Sequence, residues 1–264
     1  MFTDHEALLR TIIAYPEDDL PRLVFADFLE ESGHPAHVAR AHYIRVQIEV
    51  ELHEARSPER EKYEALAAEL RGQFRDEVDL ILPEPNQVGV TGIRRRGFVE
   101  EVHAKELELL HYGPLLVNVA PVTSLKVQML ANQSLIFRGL TWLSSIRSFE
   151  MGKQVWPFYT DTEMWTRLIR NPHFSQLRTL NLSDNHLSDD WVVLFISELP
   201  ATAFVQTLRE LILVRTGITD RGANTLAAAR GVEALTKLDL RENRITESGA
   251  EVLRRRFGDR VILD

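Results

Sequence analysis

The sequence predicts an α/β fold in which a solenoid of strand-helix repeats, built on a curved parallel sheet, follows a small all-α unit. Two observations carry this reading. One apolar pattern occurs three times, as Leu177, Leu180, Leu182 and Leu187, as Leu208, Leu211, Leu213 and Ile218, and as Leu235, Leu238, Leu240 and Ile245. The copies start 31 and then 27 residues apart, with Asn185, Thr216 and Asn243 at the same place in each. The first 80 residues, by contrast, repeat their apolar positions at helical spacing and hold 18 acidic against 9 basic side chains, more than the whole of the formal charge of -8.

The elements follow in order along the chain. Thr3 and Glu6 form a capping-box pattern ahead of Leu8, Leu9, Ile12 and Ile13, and Pro16 ends that helix. Asp19 is placed to cap a second helix whose apolar face reads Leu20, Leu23, Val24, Phe28 and Leu29, with Gly33 as a left-handed terminator. Pro35 opens a third helix through about Leu52. Ser57-Pro58 starts a fourth, Glu/Arg/Ala-rich helix that is expected to be a connector with a solvated polar face. Residues 83–97 bring two Pro, three Gly and no helical period, which sets the expected division into a helical domain, 1–80, and a repeat domain, 81–264.

Within each repeat a short strand points alternate leucines inward, and the Asn can satisfy backbone groups buried where the chain leaves the strand. Ser188, Thr219 and Thr246 then read as helix caps, with Phe195, Leu226 and Leu253 seven residues on. Trp191 stands where the later repeats have Gly222 and Gly249, so that helix entry packs differently. Weaker copies precede the strong ones: Ile146, Phe149, Met151 and Gln154, and before them Val122, Leu125 and Val127. Gly97–Val102 reads as an entry strand followed by a helix near residues 105–119, and Val261 with Leu263 as a closing strand. About six strands plus the closing one are expected.

These residues resemble the consensus of leucine-rich repeats, and the spacing with a full helix in each unit resembles the ribonuclease-inhibitor-like subclass. The first 50 or so residues resemble a second family. Leu8-Leu9, Pro16, Asp18-Asp19, Pro21-Arg22-Leu23-Val24, Ala26-Asp27, Leu29-Glu30-Glu31, Gly33 and Ile44-Arg45-Val46-Gln47 match the small bacterial repeat-companion domain found ahead of such repeats. His34 and His42 depart from its acidic positions. The companion domain has no established activity, so the resemblance implies architecture more than mechanism.

Alternation sends the residues between the inward leucines to the concave face: Thr179, Asn181 and Ser183, then Glu210, Ile212 and Val214, then Lys237, Asp239 and Arg241. The weaker copies add Glu101, His103, Lys126, Gln128, Ser148 and Glu150. Ile212 and Val214 are two aliphatics amid polar neighbours, the pattern of a binding patch. The expected function is therefore a non-enzymatic module that binds a protein partner through this face. The chain has no cysteine, which excludes disulfides, thiolate metal sites and a Cys nucleophile, and no nucleotide loop, nucleophile elbow or zinc helix is present. Its acidity argues against nucleic acid as partner, and the lack of a long apolar run or a basic leader argues for the cytoplasm over a membrane. No cofactor, metal or catalytic residue is expected.

Two alternatives remain at this point. The first is a metal- or carboxylate-dependent enzyme in the helical unit around His34, His37, His42, Asp27, Glu30 and Glu31, with repeats that recruit substrate. The second is a helical unit that only caps the solenoid. Arg22, Asp27 and Arg45 read as structural ion-pair or helix-end residues. The triplets Arg94–Arg96 and Arg254–Arg256 read as a loop before a strand and as the end of the last helix.

Overall fold

The structure is a computed structural model and describes residues 3–81, 89–128, 140–153 and 162–263. It forms two compact units, one of residues 1–103 and 111–123 and one of residues 104–110 and 124–264. Gln154, Trp156 and residues 83–88 of the expected boundary segment lie outside the described residues.

The first unit begins with helices α1 (Asp4–Ala14), α2 (Leu20–Glu31), α3 (Pro35–Leu52), α4 (Pro58–Arg71) and the short α5 (Glu77–Ile81). The capping box at Thr3 and Glu6 is formed, and Gly33 leaves α2 at φ 66°. Asp19 makes no capping bond with its side chain. Asp18 Oδ1 accepts from the Leu20 amide instead, at 2.9 Å.

The buried face of α2 is also not the one that the spacing suggests. Arg22, Phe25, Ala26 and Leu29 are buried, whereas Leu20, Leu23 and Val24 are exposed. The face is selected by Arg22, which is fully buried and donates to the carbonyls of Pro16 and Asp18 at 2.8 and 2.7 Å and to Glu100 Oε1 at 2.6 Å. A buried guanidinium needs partners for its donors, and the turn between α1 and α2 supplies two of them. Phe25 and Leu29 then join Leu9, Ile12, Ile44, Ile48 and Phe98 in one core. Arg45 ties α3 to α2 through Asp27 and Glu30, at 2.6 and 2.7 Å.

Helix α4 is more than a connector. Its Ala67 packs with Ala39, Tyr43 and Phe74, while its polar face remains in solvent. Arg94 and Arg95 lie in a strand, β1 (Val90–Arg95), rather than in a loop, and β2 (Phe98–Lys105) follows after two residues. These two, Arg96 and Gly97, have φ of 50° and 86°. A Cβ at Gly97 would stand 2.6 Å from Ile44 Cγ1, so both the turn and the close approach of α3 require glycine here. Arg94 reaches Asp76 and Asp79 at 3.0 and 2.9 Å, and Arg96 holds Glu100 at 2.8 Å. Charge pairing thus explains why so basic a stretch can be a strand. Helix α6 (Glu106–Leu116) follows β2, where a helix is expected.

The second unit contains six parallel strands in sequence order, β3 (Ser124–Gln128), β4 (Ser148–Met151), β5 (Thr179–Asn181), β6 (Glu210–Ile212), β7 (Lys237–Asp239) and β8 (Val261–Ile262). Helices α7 (Thr162–Ile169), α8 (Ser188–Glu198), α9 (Asp220–Ala228) and α10 (Glu247–Phe257) alternate with the strands from β4 on. Leu125, Phe149, Leu180, Leu211, Leu238 and Val261 stand in register across the six strands, and the first five are buried. Burial of each such side chain contributes about 1.5–3 kcal/mol, and this continuous row is what the repeat exists to assemble.

The repeated place after each strand is filled as the pattern requires. Asn243 Nδ2 donates to the carbonyls of Leu213 and Leu240 at 2.7 and 2.9 Å, while its Oδ1 accepts from the amides of Thr216 and Ile218 at 3.1 and 3.0 Å. Asn185 likewise donates to Met151, Leu182 and Ser183. Thr216, in the Asn position, uses its hydroxyl on Leu213 O and on Asn243.

The helix entries are held differently from expectation. Thr219 does cap α9, through the Arg221 amide, but Ser188 is already inside α8 at φ 64°, and Thr246 makes no side-chain capping bond. The stronger contacts run between repeats. Asp189 accepts from the Thr219 amide, the Thr219 hydroxyl and the Gly222 amide at 2.8, 2.6 and 3.0 Å. Asp220 accepts in the same way from Thr246, at 2.7 and 2.6 Å. Each Asp therefore satisfies orphan amides of the next helix. Gly222 and Gly249 leave room for it, since a Cβ there would lie 2.5 and 2.4 Å from the carboxylate oxygens. Trp191 replaces that glycine in the earlier repeat, stacking on Phe195 at 5.0 Å and meeting Trp165 edge-on at 6.1 Å.

Candidate functional site

The residues between the inward leucines line up in rows on the opposite face of the sheet. Ser148, Thr179, Glu210 and Lys237 form one row, and Lys126, Glu150, Asn181, Ile212 and Asp239 form the next. The ladder continues past the strands, with Asp184 N on Val214 O and Arg215 N on Arg241 O, which sets Ser183, Val214 and Arg241 in a third row. All nine expected residues thus fall on one face because β5, β6 and β7 pair in register. Glu101 and His103 lie on β2 and bond each other at 2.5 Å.

The polar groups of this face are tied to one another. Lys126 Nζ meets Glu150 Oε1 at 2.5 Å, Asn181 Nδ2 donates to Glu150 Oε2 at 3.2 Å, and Ser183 Oγ accepts from Val214 N at 3.2 Å. Such bonds fix the side chains before any partner arrives, which lowers the entropy cost of binding. Ile212 and Val214 are half-buried, flanked by Asn181 and Ser183 on one side and Asp239 and Arg241 on the other.

Asp239 departs from the expectation of a solvent-facing charge, since it is only 1% exposed. The Arg241 guanidinium covers it with two bonds, Nε to Oδ1 at 3.0 Å and Nη2 to Oδ2 at 2.8 Å, and the Arg241 amide adds a third. Burial pulls the Asp239 carboxyl up, but these bonds outweigh it and hold the group below the ordinary carboxylate range. Arg241, half exposed, is what a partner would meet at this point.

One feature of the rim is absent from the sequence reading. Asp184, Arg215 and Glu242 occupy the same place in successive repeats, all with left-handed backbone at φ 63°, 55° and 57°. Arg215 bridges the two acids, reaching Asp184 at 2.6 Å and Glu242 at 2.7 Å. Their hydrogen bonds raise the Arg215 pKa and lower that of Asp184. The shared offset from the repeated Asn was the available signal.

Apart from Glu31, the candidate enzyme residues are separately engaged. Asp27 and Glu30 receive Arg45, His42 approaches Glu30 at 3.4 Å, and His37 Nδ1 lies 2.9 Å from Ser32 Oγ beside the His34 ring. Partial burial and then the neighbouring His34 hold His37 below its ordinary pKa. Among the described residues no three His, Cys, Asp or Glu side chains gather as a metal-binding group. No helix among them is long and apolar enough to cross a membrane. In the last basic triplet, Arg254, Arg255 and Arg256 pair with Glu247, Glu251 and Glu233.

A strand, a buried Asn that closes it, and a helix, joined in register to the next such unit, define a strand-helix solenoid. The family described as Leucine Rich repeat matches this chain over residues 175–190, 206–227 and 234–253, so these three segments are similar to leucine-rich repeats. No curated protein matches the chain. Leucine-rich repeats generally mediate protein-protein interaction.

Proposed function

We propose that the chain is a non-enzymatic interaction module of the cytoplasm that binds a protein partner on the concave face of its repeat sheet. The observation that carries this reading is the placement of Ile212 and Val214 in rows beside Asn181, which donates to Glu150, and Ser183, whose hydroxyl accepts from the Val214 amide. A small apolar centre surrounded by ordered polar groups is the usual anatomy of a protein interface. Thr179, Glu210 and Lys237 form one margin of the patch and Ser183 and Arg241 the other, with Asn181 and the covered Asp239 beside Ile212. The 27 to 31-residue repeat with a helix of 9 to 11 residues supports the ribonuclease-inhibitor-like subclass. The packing of the first helices on α3 supports a repeat-companion-like domain over residues 1–80, its core completed by Phe98 of β2, and the change of pattern after residue 80 supports a repeat domain over 81–264.

The test is affinity capture from the native host, with the partner identified by mass spectrometry and rebound in purified form. Ile212→Arg with Val214→Arg should weaken that binding by about tenfold or more, as expected for a central contact. Unchanged affinity in a variant that keeps its circular dichroism spectrum would overturn the assignment of the face.

A further inference from the structure

The first two helices leave open an apolar groove that the core does not use. Helix α2 has two apolar stripes. Phe25, Ala26 and Leu29 face the core, and Leu20, Val24 and Phe28, spaced four apart, run along its flank. Leu20 is 65% exposed and Val24 43%, while Phe28 and Leu8 are half-buried and rest on the core. Val24, Phe28 and Leu8, with Ala7 of α1, line an open groove of about 430 Å³, and Leu20 continues the stripe one turn before that lining. Tyr15, in the turn between the helices, is 63% exposed. Single exposed aliphatics need no explanation, but a contiguous stripe beside a groove marks an interaction surface.

The charges around the groove state what fits it. Asp4, Asp27 and Glu31 line it, and none of its lining residues is Lys or Arg. Asp27 is shared with Arg45, whereas the carboxylates of Asp4 and Glu31 have no hydrogen bond or ion pair among the described residues. The surrounding segment has the same sign, with 18 acidic and 9 basic side chains in residues 1–80. An occupant must bring an apolar stripe for the floor and positive charge for the ends. An α2 of 12 residues is roughly 18 Å long, the length of about three helical turns.

We propose that the groove between α1 and α2 binds a basic amphipathic helix of a partner protein. Its apolar stripe lies on Leu8, Val24 and Phe28, and its Lys or Arg side chains reach Asp4 and Glu31. This is helix-in-groove recognition with electrostatic complementarity. It is independent of the concave face and uses no residue of it.

The experiment titrates the intact chain with a set of labelled helical peptides built from Leu and Lys that differ in the spacing of their leucines, with Leu and Glu counterparts, by fluorescence anisotropy. At least one Leu/Lys peptide should bind, and its Leu/Glu counterpart should not. Leu20→Ser with Val24→Ser should weaken binding about tenfold, and so should Asp4→Asn with Glu31→Gln, the latter also flattening the salt dependence. Ile212→Arg should change nothing, so the two surfaces stand or fall separately. The proposal is overturned if no Leu/Lys peptide binds, if the Leu/Glu peptides bind as tightly, or if both double variants bind like the wild type. It is equally overturned if sedimentation shows a dimer that the Leu20/Val24 variant dissolves, because the occupant is then a second copy.

Discussion

Replacing Asn243 with alanine removes one side chain and strands several backbone groups of two repeats at once. Its Oδ1 is the acceptor for the amides of Thr216 and Ile218, and its Nδ2 is the donor to the carbonyls of Leu213 and Leu240. Thr216 and Ile218 are both 0% exposed, so water cannot take over. The Leu213 carbonyl keeps the Thr216 hydroxyl at 2.9 Å, which leaves two amides and one carbonyl without these partners. At a little over 1 kcal/mol for each buried group left unmade, the loss is roughly 3–4 kcal/mol. That is a large part of the roughly 5–15 kcal/mol that holds a domain together. Urea unfolding followed by far-ultraviolet circular dichroism measures it. The midpoint should fall by about 1.5–2 M with little change in slope, taking an m-value of about 2 kcal/mol per M. Asn243→Asp, which keeps the acceptor and loses the donor, should fall between alanine and wild type. A loss under about 1 kcal/mol for alanine would refute the view that this side chain carries the turn.

Two further outcomes test other parts of the fold. Gly222→Ala drives a methyl group against Asp189 Oδ1 and Ile218 Cγ2 and should destabilise the repeats by about 1–3 kcal/mol, whereas in an Asp189→Ala background only the Ile218 contact is left and the same change should cost less. A double-mutant cycle by urea unfolding reads the difference. Glu77 tests the first unit by pH. Burial raises its carboxyl, but His5 at 3.0 Å and Arg40 at 2.7 Å outweigh that and hold the group well below the ordinary carboxylate range. A lowered native pKa gives stability that is complete above the unfolded value of about 4.3 and is lost as pH falls below it. Thermal melts from neutral to acidic pH should therefore show a smaller decline below about pH 4.3 for Glu77→Gln than for wild type.

The parts of this fold that were legible in the sequence are those set by local periodicity. The inward leucines, the closing strand at Val261 and the bounds of α3 follow from alternation, from helical spacing and from Pro35. The Asn positions were legible because one side chain answers one repeated backbone need. What local reading missed was decided at long range. Thr219 and Thr246 look like simple caps, yet each is also bound by an Asp 30 or 26 residues earlier, and the same Asp crowds the positions of Gly222 and Gly249. Helical spacing found the apolar residues of α2 but could not choose between its stripes, because Arg22 turns one of them inward through bonds to Glu100 and to the preceding turn. The stretch around β1, residues 83–97, reads as a loop from its Pro, its Gly and the lack of a helical period, whereas Asp76 and Asp79 neutralise Arg94 in the strand.

The candidate face shows the same division. Alternation placed all nine residues on one side of the sheet, and the register of β5, β6 and β7 brings them into rows. Alternation could not show that Arg241 folds back over Asp239, so the charge available to a partner at that point is positive instead of negative. Nor could it show the rim of Asp184, Arg215 and Glu242, which depends on three left-handed residues in register.

The central claim is that the repeat sheet is the binding surface for a protein. Hydrogen-deuterium exchange of the chain, alone and with its captured and purified partner, tests it most directly. Added protection is expected over residues 179–183, 210–214 and 237–241, the segments that form the rows of the face. Protection confined to α8, α9 and α10, with these segments unchanged, would contradict it.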